Sequence, residues 1–531
     1  MKRLVLNNKN VISNLVVLAA SVNAAAFSGV GAEARFLHPV PQGGEETCLV
    51  PMHYSASSKL LSNLQEAEDR EDELKLCRLT IYEGMGPKLK VESIGALKFT
   101  PPDAKEILAC PKYNSTNPGT NLVEVPGNMT YGEAKKLMCV PKDKALAALK
   151  AANDELDEKE YEGKYDLDAK FKSTISCSAT ASALGYYHVS RLLGGAGRVP
   201  VAVARTLSRT SHHEVATRAV NHFSGSDEII AKNWRSFQSA SDAAAAGKPN
   251  PKIYTDKGNY VYGSLQKNLK GEERYTEIGG RGSYDDRYTR FLGQDPFLRV
   301  ANPAEVKNIP PAGVQTAPAA RTFSEMAPQI VQMQDVADMV LMDTLMAQDD
   351  RIGNIHVKPM VLEAGSQKPR KMKKAEEKAL EALQKLNKSF PLSAAVAAEA
   401  SSQVFADGKA VFVRAMYLKD NDCGVDTDNR GNQMRRNKAL EAVRHMNPET
   451  YKRFMAFAEE VESDRFKTFA FETLLYRPVE YQGHRYSLKE NVRHAVKILS
   501  ENCERGLLKL DLVQSFDEKG IWVRPPAVSC R

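Results

Sequence analysis

The chain has 531 residues, enough for two to four domains or for one large bilobal domain with extensions. Hydrophobic residues make up 42% and charged residues 26%, which excludes wholesale disorder and a membrane bundle. With 73 Lys and Arg against 66 Asp and Glu the formal charge is +7, too mild an excess at this size to argue for nucleic acid.

The chain opens with Met1-Lys-Arg, then Lys9, then the uncharged run Val11-Ile-Ser-Asn-Leu-Val-Val-Leu-Ala-Ala-Ser-Val-Asn-Ala24. A basic start followed by a short apolar stretch has the form of a signal peptide. Cleavage near Ala24 or Ala34 assigns residues 1–34 to the signal and predicts an exported chain, periplasmic or secreted; a buried N-terminal helix is the other reading. Eight cysteines (Cys48, Cys77, Cys110, Cys139, Cys177, Cys423, Cys503, Cys530) form an even set with no Cys-x-x-Cys metal pair. Four of them precede residue 140, so disulfides are expected to staple the N-terminal region. No later apolar run reaches the length of a membrane span.

Residues 35–159 alternate short strand-like runs with polar and Pro-rich breaks and read as a cysteine-containing N-terminal extension or small domain. The pattern predicts one helix from Tyr131 and a charged one over Asp143–Glu162. In Tyr165-Asp-Leu-Asp-Ala-Lys-Phe-Lys-Ser-Thr-Ile175, apolar residues and lysines alternate as on a half-exposed strand, so Lys170 and Lys172 share one face. Solvent or a cleft could take that face. A helix over Ala179–Leu193 closes at Gly194-Gly195, and Arg198-Val-Pro-Val-Ala-Val-Ala-Arg205 continues as a strand.

This order, a lysine-bearing strand, a helix ending Tyr187-His-Val-Ser-Arg-Leu-Leu-Gly194, and then Arg198-Val-Pro, resembles the small lobe of atypical kinases related to the Golgi casein kinase and, more distantly, to phosphatidylinositol kinases. The resemblance covers roughly residues 165–205. It implies that Lys172 or Lys170 holds the phosphates of ATP. The chain departs from the pattern in one respect, because those kinases pair the lysine with a glutamate in the helix and Cys177–Tyr187 contains no acid.

Between 206 and 330 the sequence predicts Ala-rich helices, a strand pair around Lys252–Tyr262, and a loop at Gly279-Gly-Arg-Gly282, which no strong strand precedes as a phosphate cradle requires. Asp285-Asp-Arg287 repeats a triplet met again downstream, so the triplet by itself carries little. Context distinguishes the second copy. Met339-Val-Leu-Met-Asp-Thr-Leu-Met346 reads as a buried helix, then Asp349, Asp350, Arg351 and Asn354 crowd one turn, and Ile355–Val361 reads as a strand. A cap needs only one such residue. Phosphoryl transfer would use all of them: an Asp to accept the substrate hydroxyl proton, an Asn on a second Mg²⁺, and a basic residue steadying the loop. The Asp-Arg-x-x-Asn order resembles the catalytic loop of these atypical kinases, where Asp-Arg is followed by an Asn about five positions after the Asp. Asn354 lies five residues after Asp349 and four after Asp350, so within the resemblance spacing favours the first and the Asp-Arg dipeptide the second.

Ala410-Val-Phe-Val-Arg-Ala-Met-Tyr-Leu418 is the clearest strand by β-branched and aromatic content, and it runs into Lys419-Asp-Asn-Asp-Cys-Gly424. Asp422-Cys-Gly resembles the metal-binding Asp-Phe-Gly turn of protein kinases, and Asp420-Asn421 resembles the Asp-Asn of the Golgi type. An acidic hairpin or a calcium loop is the alternative, although the sixth-position Gly and terminal Glu of an EF-hand are missing. The insertion at 365–400 carries a basic helix over Lys368–Leu386, and Arg435–Tyr476 and Ser487–Leu510 read as helical.

The fold expected is α+β, a bilobal protein-kinase-like architecture with a small lobe at 160–330, a large lobe at 331–515 and a tail at 516–531. The expected activity is ATP- and Mg²⁺- (or Mn²⁺-) dependent transfer of a phosphoryl group to a hydroxyl of a protein, lipid or sugar. Asp350 or Asp349 would act with Arg351, and Asn354, Asp422 and Asp420 would hold metal. The alternatives are a non-catalytic exported binding protein on a degenerate kinase fold and an enzyme of that fold transferring AMP or another group.

Overall fold

A computed structural model describes residues 46–50, 71–77, 89–93, 107–125, 129–151 and 169–530, the last span with short gaps at 256, 270, 276–283, 312–314, 318–320, 353, 389–391, 426–429 and 484. The signal peptide, the far half of the charged helix after Asp143 and the glycine run at 279–282 lie outside the described residues.

The chain is mixed α/β with two sheets. Strands β1 (Glu46–Val50), β2 (Leu89–Ser93), β3 (Ile107–Pro111) and β4 (Thr120–Glu124) precede helices α1 (Tyr131–Met138) and α2 (Lys142–Ala151). Then come β5 (Ala169–Lys172), α3 (Thr180–Leu192), β6 (Ala202–Ser208), α4 (Arg209–His222), α5 (Ile229–Ala245) and β7 (Tyr260–Lys267). The seven strands form one sheet in the order β2-β1-β6-β7-β5-β4-β3, antiparallel apart from the β1–β2 pair.

The boundary drawn near residue 160 therefore runs through a sheet. β5 is short, and β4 supplies hydrogen bonds on the edge of β5 that β7 does not cover, in register Thr120↔Phe171 to Leu122↔Ala169. Without β4 those buried backbone groups would lack partners, which is the physical reason the N-terminal strands belong to this sheet. Cys48–Cys77 and Cys110–Cys139 staple this region, as the cysteine distribution predicts. Alternation sorts the sheet's two faces: Val203, Leu207, Val261 and Leu265 pack with Trp234 and Phe237 of α5, while Ala202, Ala204 and Tyr262 join the core that contains α3.

After α6 (Tyr284–Leu292) and α7 (Asp295–Val300), α8 (Phe323–Leu345) runs through the main core, where Ile330, Met333, Val336, Met339 and Leu341 are buried. Thr322 and Glu325 form a capping box at its start. The second sheet, β10-β9-β8, joins β8 (Glu273–Arg274), β9 (Ile355–Glu363) and β10 (Ala410–Leu418). β9 and β10 pair along their whole length, from Ile355↔Leu418 to Glu363↔Ala410. The connection between them contains the expected charged helix α9 (Lys374–Leu386) and a second helix, α10 (Ala394–Val404), that was not foreseen. Helices α11 (Arg430–Ala442), α12 (Pro448–Val461), α13 (Asp464–Glu472), α14 (Pro478–Tyr481) and α15 (Leu488–Glu504) complete the chain, and Cys503–Cys530 ties the C-terminal segment back to α15. Among the described residues, no helix is long and apolar enough to cross a membrane.

Candidate active site

Lys170 and Lys172 stand two residues apart on β5, so their side chains leave the same face, and both are buried. That face meets the turn that follows β10. Lys170 Nζ lies 2.6 Å from Asp420 Oδ1; Lys172 Nζ lies 2.9 Å from Asp422 Oδ2 and 3.4 Å from Asp420 Oδ1. Ser178 Oγ donates to the same Asp422 oxygen at 2.6 Å. The acid that α3 does not supply to the strand lysine is supplied by the acidic turn. Asp420 adopts φ 47, a left-handed conformation of the kind that clusters at functional sites.

Burial would raise both carboxyls, but the lysines outweigh it. Lys170, Lys112 and Lys172 hold Asp420 well below the ordinary carboxylate range, and Lys172 holds Asp422 below it. Burial would equally lower Lys172, and the charges of Asp422 and Asp420 leave it above its usual value. Lys170 falls below its own, because burial outweighs its attraction to Asp420. Lys112, beside this cluster after β3, is pushed down to about 7 by burial.

The turn is held from several sides. Cys177–Cys423 links the residue before Ser178 to the residue after Asp422. Ala179 N donates to Asp422 O at 2.7 Å, Ser182 Oγ donates to Asn421 O at 2.5 Å, and Gly424 N donates to Ser182 Oγ at 3.0 Å. A Cβ on Gly424 would stand 2.5 Å from Ser182 Oγ and 2.6 Å from Met346 O, so only glycine fits.

The Asp349–Asn354 loop docks on the other side of this turn. Asp349 N donates to Cys423 O at 2.9 Å, and Val425 N donates to Met346 O at 2.8 Å. Arg351 is buried and binds three parts of the site at once: Asp343 of α8 at 3.1 Å, Lys419 O at 2.7 Å and Asn421 Oδ1 at 2.5 Å. It is a positioning residue, and Tyr186 of α3 completes its setting by donating to Asp343 Oδ1 at 2.7 Å. Burial raises the Asp343 carboxyl, and the Arg351 charge opposes that. Asp349 is ion-paired with Arg436 at 3.0 Å. Asp350 accepts from Asn354 Nδ2 at 3.1 Å, which turns the amide nitrogen toward Asp350 and leaves the carbonyl oxygen for a cation.

The sequence-derived residues thus come together as two coupled groups, the lysines with Asp420 and Asp422, and Asp349, Asp350 and Asn354 in the adjoining loop. Sequence reasoning missed Asp343, Ser178, Ser182, Lys112 and Arg436. Asp343 had a signal, a single acid inside the apolar run Met339–Met346; the others had none. His445 is buried with Nδ1 2.8 Å from Asp511 and Nε2 2.8 Å from Asn302 O.

No family model, curated protein or solved structure matches this chain.

Proposed function

We propose that the chain is an exported ATP- and Mg²⁺-dependent phosphotransferase acting on a hydroxyl, built on a bilobal protein-kinase-like fold. The seven-stranded sheet with α3 would form the small lobe, and α8, the β9–β10 pair and the C-terminal helices the large one. The observation that carries the reading is the Lys172–Asp422 pair, 2.9 Å apart, with the Asp349–Asn354 loop bonded to the adjoining Cys423 carbonyl. A strand lysine, a metal acid and a loop bearing base and amide are the parts that phosphoryl transfer needs.

The residues fit such ligands. Among the described residues no three His, Cys, Asp or Glu side chains converge, but Mg²⁺ commonly takes one or two carboxylates and completes its shell from phosphates and water. The lysine and serine contacts use one oxygen each of Asp420 and Asp422, and these two carboxylates with Asn354 are the residues that would hold such a cation. Bound Mg²⁺ supplies neutralisation of phosphate charge. Lys172 and Lys170 bind and orient the phosphates. Asp350 accepts the proton of the substrate hydroxyl, since Asp349 is already engaged by Arg436. Four disulfides agree with export.

A second reading, a non-catalytic binding protein on a degenerate kinase fold, draws on one observation: α3 contains no acid, and both lysines are already neutralised within the chain. Thermal shift with ATP and Mg²⁺, separately and together, tests the two. Stabilisation that requires both ligands and disappears in Asp422→Ala supports the phosphotransferase; a melting temperature blind to both supports the binding protein.

A further inference from the structure

Away from that site, a groove of about 970 Å³ opens between α7, α8, α10 and β10, within the size range of small-molecule sites. Its wall is apolar: Ala394, Ala398 and Phe405 from α10 and its end, Pro296 from α7, and Phe412 and Val413 from β10. One region is basic. Arg299 is 6% exposed; its Nη2 donates to Gln332 Oε1, and Gln332 Nε2 donates to the Tyr275 hydroxyl. Arg299 Nε is buried and has no hydrogen-bond partner among the described residues. Arg414, which also lines the groove, lies over the Tyr275 ring at 4.9 Å.

A buried guanidinium nitrogen without an acceptor is costly, and a planar fork is suited to a carboxylate. Of the two acids on the groove, Glu325 is occupied in the cap of α8, where it accepts from Thr322 N at 2.9 Å, and Asp295 is exposed. Neither is hydrogen-bonded to Arg299. We propose that this groove is a binding site for an amphipathic carboxylic acid, with the carboxylate on Arg299 and Arg414 and the apolar body along α10 and β10. The site is separate from the phosphotransfer site, and its test does not depend on that reading.

The full chain is titrated with sodium oleate and with oleyl alcohol as the uncharged match, by equilibrium binding and thermal shift. The expected result is saturable binding of oleate that raises the melting temperature, with the alcohol at least tenfold weaker, since a hydrogen bond to a charged group is the difference between them. Arg299→Gln should weaken oleate about tenfold or more and leave the alcohol unchanged; Arg414→Gln serves if the first variant does not fold. Ala398→Trp, at an exposed position on the groove wall, should fold normally and bind neither. Equal binding of acid and alcohol, no binding of either, or undiminished oleate binding by Ala398→Trp overturns the proposal.

Discussion

Lys172 Nζ and Asp422 Oδ2 meet at 2.9 Å across the junction of β5 and the acidic turn, with 3% and 2% of their side chains exposed. Neither charge can be removed alone without leaving the other in a site that solvent does not reach. Lys172→Met should therefore cost about 3–5 kcal/mol, and adding Asp422→Asn should recover most of it. Urea unfolding of the two single variants and the double variant gives the coupling directly.

Arg351 fastens three elements through one planar group, which a lysine cannot reproduce. Arg351→Lys is expected to lose more than about 1 kcal/mol of stability and to lower turnover while leaving the nucleotide dissociation constant within a few-fold, because it touches no phosphate contact. Unfolding midpoints and single-turnover rates check the two halves of this expectation.

Gly424→Ala should be unfavourable by about 1–3 kcal/mol, the usual range for forcing atoms into a packed site. Two obstacles face the new Cβ, Ser182 Oγ and the backbone oxygen of Met346. Adding Ser182→Ala removes the first and not the second, so it should not restore stability. Full recovery in the double variant would show that the Met346 backbone yields to the added Cβ.

Cys177 and Cys423 close a loop of 246 residues in sequence separation, so replacing both by serine should lower stability by up to about 5 kcal/mol. Differential scanning calorimetry of Cys177→Ser/Cys423→Ser against Cys503→Ser/Cys530→Ser, which closes only 27 residues, should show the larger loss for the first pair.

The acids of this chain give opposite pH slopes. Asp420 and Asp422 lie below their unfolded values, so the stability they contribute is present above about pH 4 and is lost as pH falls through that range. Asp338 of α8 is pushed up to about 7 by burial and by the neighbouring Asp335 charge; its contribution is full below about pH 4 and is lost as pH rises through 7. Asp338→Asn should reduce the drop in unfolding free energy between pH 5 and pH 8 while leaving the acid limb in place.

Much of the site was legible because its parts are short and local. The apolar run before Asp349, the nine-residue strand β10 and the lysine alternation on β5 each follow from spacing within a few residues. What could not be read depends on partners far apart in the chain. The registry of β4 on β5 and β1 on β6 is fixed by backbone bonds that leave no residue signature. The Cys177–Cys423 pairing belongs to one of the roughly one hundred complete connectivities that eight cysteines allow. The pairing of Lys172 with Asp422 required knowing where the acidic turn lies. Helix α10 was missed because its Ala- and Ser-rich sequence packs through small residues, Ala397 and Ala400, and has little amphipathic contrast.

Mass spectrometry of the products formed by the full chain with ATP, Mg²⁺ and a panel of protein, lipid and sugar hydroxyl acceptors tests phosphoryl transfer most directly. The expected products are ADP and a phosphorylated acceptor, with formation reduced by orders of magnitude in Asp422→Ala and Asp350→Ala although both variants remain folded. Release of pyrophosphate with an AMP-modified product, or ATP consumption that is absent in the unaltered chain or undiminished in both variants, would contradict it.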